Sequence, residues 1–216
     1  MDGVIADTAR YHEIAWRHAF EKRGFTFTRR MFRRSFGHRN DTVIPMVLGA
    51  AATPELVAEI GDEKEAEYRR LVAADLTPLA GALELLAACR AAGFRQGLAS
   101  SAPRANVDQV LSTLAIAGYF QAVVSEKDVA EGKPSPQAFL LVARRLGVEP
   151  ARCIVIEDAV SGVEGARRAG MRCVAVTNTH PRESLAAADR VVASLTEVTA
   201  ADLAHLIGDR APANRE

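Results

Sequence analysis

The stretch CIVIEDAVSG, residues 153–162, decides how the chain is read. A short apolar run rich in β-branched residues marks a buried strand. This one gives out on two acids, Glu157 and Asp158, where the strand would end. Working outward, GLASS (97–101), AVVSE (122–126), CVAVTN (173–178) and RVVASL (190–195) repeat the pattern. Stretches with helical spacing lie between them, such as ALELLAACRAAG (82–93), which Gly93 stops. Strands alternating with helices indicate βαβ units and a parallel sheet covered on both faces.

Residues 9–76 read differently. Tyr11, Ile14, Ala15, His18 and Ala19 form one stripe, and Gly24 ends it. Thr53 and Pro54 are the N-cap and first residue of a long helix whose stripe runs Val57, Ile60, Lys64, Tyr68, Leu71. The fold class expected is α/β: a doubly wound parallel sheet with a four-helix insertion. Residues 1–7 and 79–216 would form the core and residues 8–78 the inserted cap domain. Asp7-Thr8 and Leu76–Leu79 would be its hinges, and GDRAPANRE (208–216) a polar tail.

The composition narrows the function. The 216 residues are 49% hydrophobic and 25% charged, and Lys+Arg and Asp+Glu both number 27. A net charge of zero gives no general pull towards nucleic acid or an anionic membrane. Cys89, Cys153 and Cys173 are widely spaced, without a CxxC pair, and read as buried residues of a reducing compartment. No apolar run approaches the ~18 residues that span a bilayer. A monomer in the cytoplasm is the expectation.

Ligands of open parallel sheets sit at the carboxyl ends of the strands. GLASSAP delivers Ser100 and Ser101 there, CIVIEDAVSG delivers Glu157 and Asp158, and EGKPSP (131–136) offers Lys133 at the start of a helix. At the front, MDG delivers Asp2. Hydroxyls and an ammonium suit a phosphoryl group, because they donate to its oxygens and offset its charge. Clustered carboxylates suit a hard cation such as Mg²⁺. Each feature alone is a cap, a turn or a solvated side chain. Their convergence points to metal-assisted phosphoryl transfer on a small phosphorylated metabolite.

Four motifs in order, MDGVIADT (1–8), LASSAP (98–103), GKPSP (132–136) and IEDAVSGVEGARRAG (156–170), resemble the haloacid dehalogenase-like phosphatases and phosphomutases. The likeness is greatest to the branch containing β-phosphoglucomutase. The resemblance implies a modified Rossmann core with a helical cap, a Mg²⁺ cofactor and an aspartyl-phosphate intermediate. It implies that Asp158 is a metal ligand, with Glu157 beside it and Asp2 close to the same ion. Ser100 and the Ser101 amide would hold the phosphoryl group, Lys133 would neutralise it, and Asp2 would be the general acid/base.

The family pattern is Asp-x-Asp-Gly, whose first Asp is the nucleophile, and Met1 stands at the x. The resemblance therefore places the nucleophile and its strand ahead of Met1. It implies a start assigned at an internal Met, poor stability, and no turnover by the chain as written. Two neighbouring strands would keep unpaired main-chain groups, each costing ~1–3 kcal/mol if buried.

The cap would choose the substrate. Thr8, His12 and Trp16 in DTARYHEIAW (7–16) match the mutase stretch, and His12 would link cap closure to Asp2; a surface His stacked on Trp16 is the plainer reading. Lys64 matches a cap lysine or snorkels from its helix. FGHRND (36–41) matches poorly: Asn40 stands where the mutase holds the second phosphate, with Arg39 one position earlier. Arg104 stands near another mutase lysine. With the second anchor weak, a phosphatase of a small phosphorylated sugar or polyol is favoured over a sugar phosphomutase. An inactive protein that binds a phosphorylated ligand is the alternative from another class. Arg29, Arg30, Arg33 and Arg34 in TRRMFRRSFGHR (28–39) fall on one helical side. They read as a solvated surface attractive to anionic substrates rather than a nucleic-acid contact.

Overall fold

A computed structural model describes residues 1–208. All but the first residue of the polar tail lies outside the described residues. Helix α1 (Ala9–Glu21), α2 (Arg29–Ser35), α3 (Asn40–Leu48) and α4 (Pro54–Asp75) come first. The α/β part follows: α5 (Ala82–Ala91), β1 (Gly97–Ala99), α6 (Arg104–Thr113), β2 (Ala122–Val124), α7 (Gln137–Leu146), β3 (Ile154–Glu157), α8 (Val160–Arg168), β4 (Arg172–Val176), β5 (Arg190–Val192) and α9 (Ala200–Gly208).

Local chemistry explains the boundaries. Thr53 Oγ1 accepts the Leu56 amide at 3.2 Å and Pro54 opens α4. Gly93, with φ +80°, follows the end of α5. Lys133 does not begin a helix. Pro134 and Pro136 follow it, and α7 starts at Gln137, so Lys133 sits in the turn ahead.

All five strands anticipated from the sequence form, and every pairing is parallel. They form two pieces, β1-β2 and β3-β4-β5, rather than one sheet, because β1 and β3 have a ladder partner on one side only. Before α1 the chain makes a turn instead of a strand. The Met1 carbonyl accepts the amides of Val4, Ile5 and Ala6, and Ala6 bridges to Pro78.

One buried cluster joins Leu98, Val107, Val174 and Val176 to Tyr11, Ala15, Tyr68 and Val72 of the helical segment. The segment also has its own aromatic cluster, with Trp16, Phe20, Phe27, Phe32 and Phe36. The buried face of α1 is Tyr11, Ala15, Trp16, Ala19 and Phe20. The expected stripe was turned by part of a helical turn: His18 is 60% exposed, while Trp16 and Phe20 bury far more apolar area. Cys89 and Cys173 are buried and Cys153 only partly so; all three are free. Among the described residues no helix is long and apolar enough to cross a membrane.

Candidate active site

The carboxyl ends of β1 and β3 and the inner faces of α1 and α4 enclose a cavity of about 70 Å³. Asp2, His12, Asn40, Lys64, Ser100, Ser101, Lys133 and Glu157 line it, so eight of the anticipated residues meet at one place.

Asp2 meets three side chains of the helical segment and its approach. Its Oδ1 accepts the Thr8 hydroxyl at 2.6 Å and the Tyr68 hydroxyl at 3.2 Å, and His12 Nε2 lies 3.5 Å away. Burial disfavours the charge, but His12 and Thr8 outweigh it and hold the carboxyl well below the usual range. His12 stacks on Tyr68, centroids 4.0 Å apart, and not on Trp16. Burial and the nearby Lys64 ammonium push its pKa down, so the imidazole is neutral near pH 7. Tyr68 is a site residue that the sequence reading placed only in a packing stripe. Burial and the Asp2 charge raise its phenol, which keeps the donor proton.

Lys133 pairs with Glu157 Oε1 and lies 5.0 Å from the Phe139 ring centroid. Glu157 Oε2 accepts the amides of Asp158 and Ala159 at 2.9 and 3.0 Å. A Cβ at Gly162 would collide with this carboxylate, so the glycine in DAVSG is a steric requirement. Asp158 bonds to Thr179, and a Cβ on Gly3 would strike the same carboxylate. Burial and the Glu157 charge push Asp158 up to about 7. Ser100 is buried, and its Oγ accepts the Ala102 amide at 3.1 Å.

Lys64 does not snorkel. It is 3% exposed, donates to Glu65 Oε1 at 2.7 Å, and lies 4.9 Å from the Trp16 ring centroid and 5.4 Å from that of Tyr68. Glu65 also accepts from Asn40 at 2.9 Å and from Asn106, whose Oδ1 accepts from Arg69 at 3.0 Å. A buried carboxylate therefore ties α3, α4 and α6 together. Glu65 carried no sequence signal because α4 is charged throughout, and Asn106 of α6 belonged to none of the motifs.

Four candidates do not line the cavity: Thr8 and Asp158, which bond to Asp2 and Thr179, and Arg39 and Arg104. Arg39 turns towards the 130–132 loop, donating to the Ala130 carbonyl at 3.3 Å and pairing with Asp41 at 3.1 Å. Arg104 is exposed and pairs with Asp108 one turn on. Each is paired with an aspartate close by in sequence, Arg39 with Asp41 and Arg104 with Asp108.

The three expected metal carboxylates do not form one group. Among the described residues no three His, Cys, Asp or Glu side chains cluster as a metal site, and Asp2 is committed to Thr8, Tyr68 and His12. Glu157 and Asp158 remain adjacent at the end of β3. Mg²⁺ is commonly held by one or two carboxylates, water and a substrate phosphate. The repulsion that raises Asp158 is what a cation would relieve, so this donor pair fits Mg²⁺.

A family model described as haloacid dehalogenase-like hydrolase matches residues 1–170. The chain belongs to the haloacid dehalogenase-like hydrolases. It is 37% identical over 207 residues to β-phosphoglucomutase of Bacillus subtilis, covering 92% of this chain and 89% of that one. It is 32% identical over 214 residues to validoxylamine A 7'-phosphate phosphatase of Streptomyces hygroscopicus subsp. limoneus, covering 92% of each. Among solved structures, β-phosphoglucomutase from Clostridium difficile superposes with a TM-score of 0.87 at 28% identity, covering 96% of this chain and 94% of that one. The chain therefore sits in the β-phosphoglucomutase-like branch and is a phosphohydrolase or phosphomutase with an α/β Rossmann-like core.

Proposed function

We propose that the protein is a Mg²⁺-dependent phosphatase of a small phosphorylated sugar or polyol, with residues 8–78 acting as a cap over the site. The observation that carries this reading is the cavity of about 70 Å³, with Asp2, Ser100 and Lys133 in its walls. That volume suits a phosphoryl group and a few waters. Ser100 and the Ser101 amide would donate to the phosphoryl oxygens. Lys133 would neutralise them, exchanging part of its contact with Glu157 for the substrate.

Glu157 and Asp158 would hold Mg²⁺, which would supply charge neutralisation on the transferring group. The carboxylate of Asp2, kept ionised by its partners, is suited to take the proton from an attacking water. Protonation of the leaving oxygen needs the other form of the same group. The hydrogen bonds from Thr8 and Tyr68 would have to weaken for it. Asp2, Thr8, His12 and Tyr68 thus make the link between the helical segment and proton transfer.

The covalent step implied by the motif needs a carboxylate two residues ahead of Asp2. Turnover is therefore tested in two proteins: the chain starting at Met1, and the chain preceded by an apolar strand ending in Asp. Mg²⁺-dependent phosphate release from hexose or polyol phosphates by the extended protein alone supports the reading. Turnover by the chain starting at Met1 overturns the role given to that carboxylate. Release by neither protein leaves a phosphate-binding protein without turnover.

The 37% identity to a β-phosphoglucomutase favours a second reading, a sugar phosphomutase. The same assay, run with and without a sugar bisphosphate primer, separates the two. Isomer without net phosphate identifies the mutase, and phosphate without isomer identifies the phosphatase. The departure of Arg39 and Arg104 from the cavity supports the phosphatase.

A further inference from the structure

The cavity has room for the phosphoryl group and little else, so the body of a substrate must lie beyond it. An adjoining cleft of about 580 Å³ shares Phe36, His38 and Ala159 with the cavity wall. Its remaining lining is Arg30, Arg33 and Arg34 of α2, Val160 and Ser161 of the first turn of α8, and His180.

Among the described residues, the side chains of Arg30, Arg33 and Arg34 make no hydrogen bond or ion pair. Some other exposed arginines are paired locally, Arg17 by Glu13, Arg70 by Glu67, Arg167 and Arg168 by Glu164. The side chains of Arg29, Arg144, Arg152 and Arg182 are unpaired too, but they do not line this cleft. Helix α2, RRMFRRS, has no acid at all. Its arginines three and four residues apart repel one another, at ~0.2–0.5 kcal/mol per pair. Inside the cavity the charge is balanced instead, Lys64 by Glu65 and Lys133 by Glu157. A second negative group on the substrate finds no free cation there and three at the mouth.

We propose that this cleft is a subsite for a second anionic group, a carboxylate or a phosphate, on the tail of the phosphorylated substrate. Guanidinium groups suit such a group because their planar fork can bond two oxygens at once. The amino end of α8, whose Val160 and Ser161 also line the cleft, adds a favourable dipole. This deepens the phosphatase reading, resting on the cavity as the place of the reacting phosphoryl group, and makes the substrate an acidic sugar or polyol phosphate.

The test is calorimetric binding to the chain with Mg²⁺, which needs no turnover. Glucose 6-phosphate, 6-phosphogluconate and fructose 1,6-bisphosphate give a neutral, a carboxylate and a phosphate tail, and inorganic phosphate is the competitor. At least one acidic-tailed ligand is expected to bind tenfold or more tighter than glucose 6-phosphate, and the tail that gains identifies the group. In R30S/R33S/R34S that gain is expected to vanish, so that the ligands bind alike. Should the variant fold poorly, salt gives the same answer in the wild type. The gain is expected to shrink at least threefold between 50 and 500 mM NaCl, since exposed charges are screened.

Equal binding of all three ligands by the wild type, or a gain that survives the triple substitution or high salt, overturns the subsite alone. If glucose 6-phosphate fails to bind, or phosphate fails to displace it, the reading of the inner cavity fails and the subsite falls with it.

Discussion

Lys64 and Lys133 stand inside the molecule, each against a glutamate, while Arg30, Arg33 and Arg34 stand at its surface with no acid beside them. Solvation explains the difference. A cation taken out of water needs a counter-charge within the fold, because desolvation is too costly to leave uncompensated. An exposed guanidinium is stabilised by water and can remain open to a ligand. Buried cations are therefore part of the structure first and meet the substrate by exchange. The surface cations can be devoted to recognition.

The largest effect expected from breaking this contrast is at Glu65. Glu65→Leu leaves Lys64 buried without its counter-charge and should cost ~3–5 kcal/mol in urea unfolding. The double variant Lys64→Met, Glu65→Leu should recover much of that loss. If the two single losses simply add, the pair is not coupled.

At Lys133, Lys133→Met should abolish measurable phosphate binding, because the phosphoryl group loses its side-chain cation and Glu157 its counter-charge. Unchanged calorimetric affinity for inorganic phosphate would show that this lysine is not the phosphate partner.

Millimolar Mg²⁺ is expected to raise the melting temperature, with no shift in Asp158→Asn. The check is a thermal-shift titration, and an equal shift in the variant would move the ion elsewhere.

On the arginine face, stability should hardly respond. The single substitutions Arg30→Ser, Arg33→Ser and Arg34→Ser are each expected within about 0.5 kcal/mol of the wild type in urea unfolding, as is usual for exposed sites.

The smallest effect is at Asp128. The Ser125 amide, Arg145 and the Ser125 hydroxyl hold its carboxyl down at about 2, against 3.8 in the unfolded chain. Its contribution to stability is complete above pH 3.8 and is lost as the pH falls towards 2, where the folded state must also take up the proton. Asp128→Asn should flatten the acid limb of the stability profile in urea unfolding, lowering stability slightly at neutral pH and leaving it unchanged once the pH falls below the folded-state value.

Much of the fold was legible because its signals are local. The β-branched runs, the Thr53-Pro54 start and the Gly93 stop act through neighbouring residues. The strand-end acids were legible too, since a parallel α/β sheet brings its carboxyl ends to one side. Pairing across distance was not legible. Glu65 meets Asn40 and Asn106, 25 and 41 positions away, and no period in α4 marks it. Tyr68 was visible as an apolar position, but its hydroxyl became a donor to Asp2 only when α4 crossed α1. Arg39 and Arg104 were sound candidates by type and place, yet they pair outside the cavity with aspartates close by in sequence.

The sequence by itself determined the α/β class, the family and the set of groups that handle phosphate, because periodicity and ordered motifs are written along the chain. Only the tertiary structure decided which of those groups are already engaged. It bound Asp2 to Thr8 and Tyr68, balanced both inner lysines, and left the α2 arginines unpaired. Charge pairing depends on burial and on contacts between distant segments, and neither exists until the chain has folded.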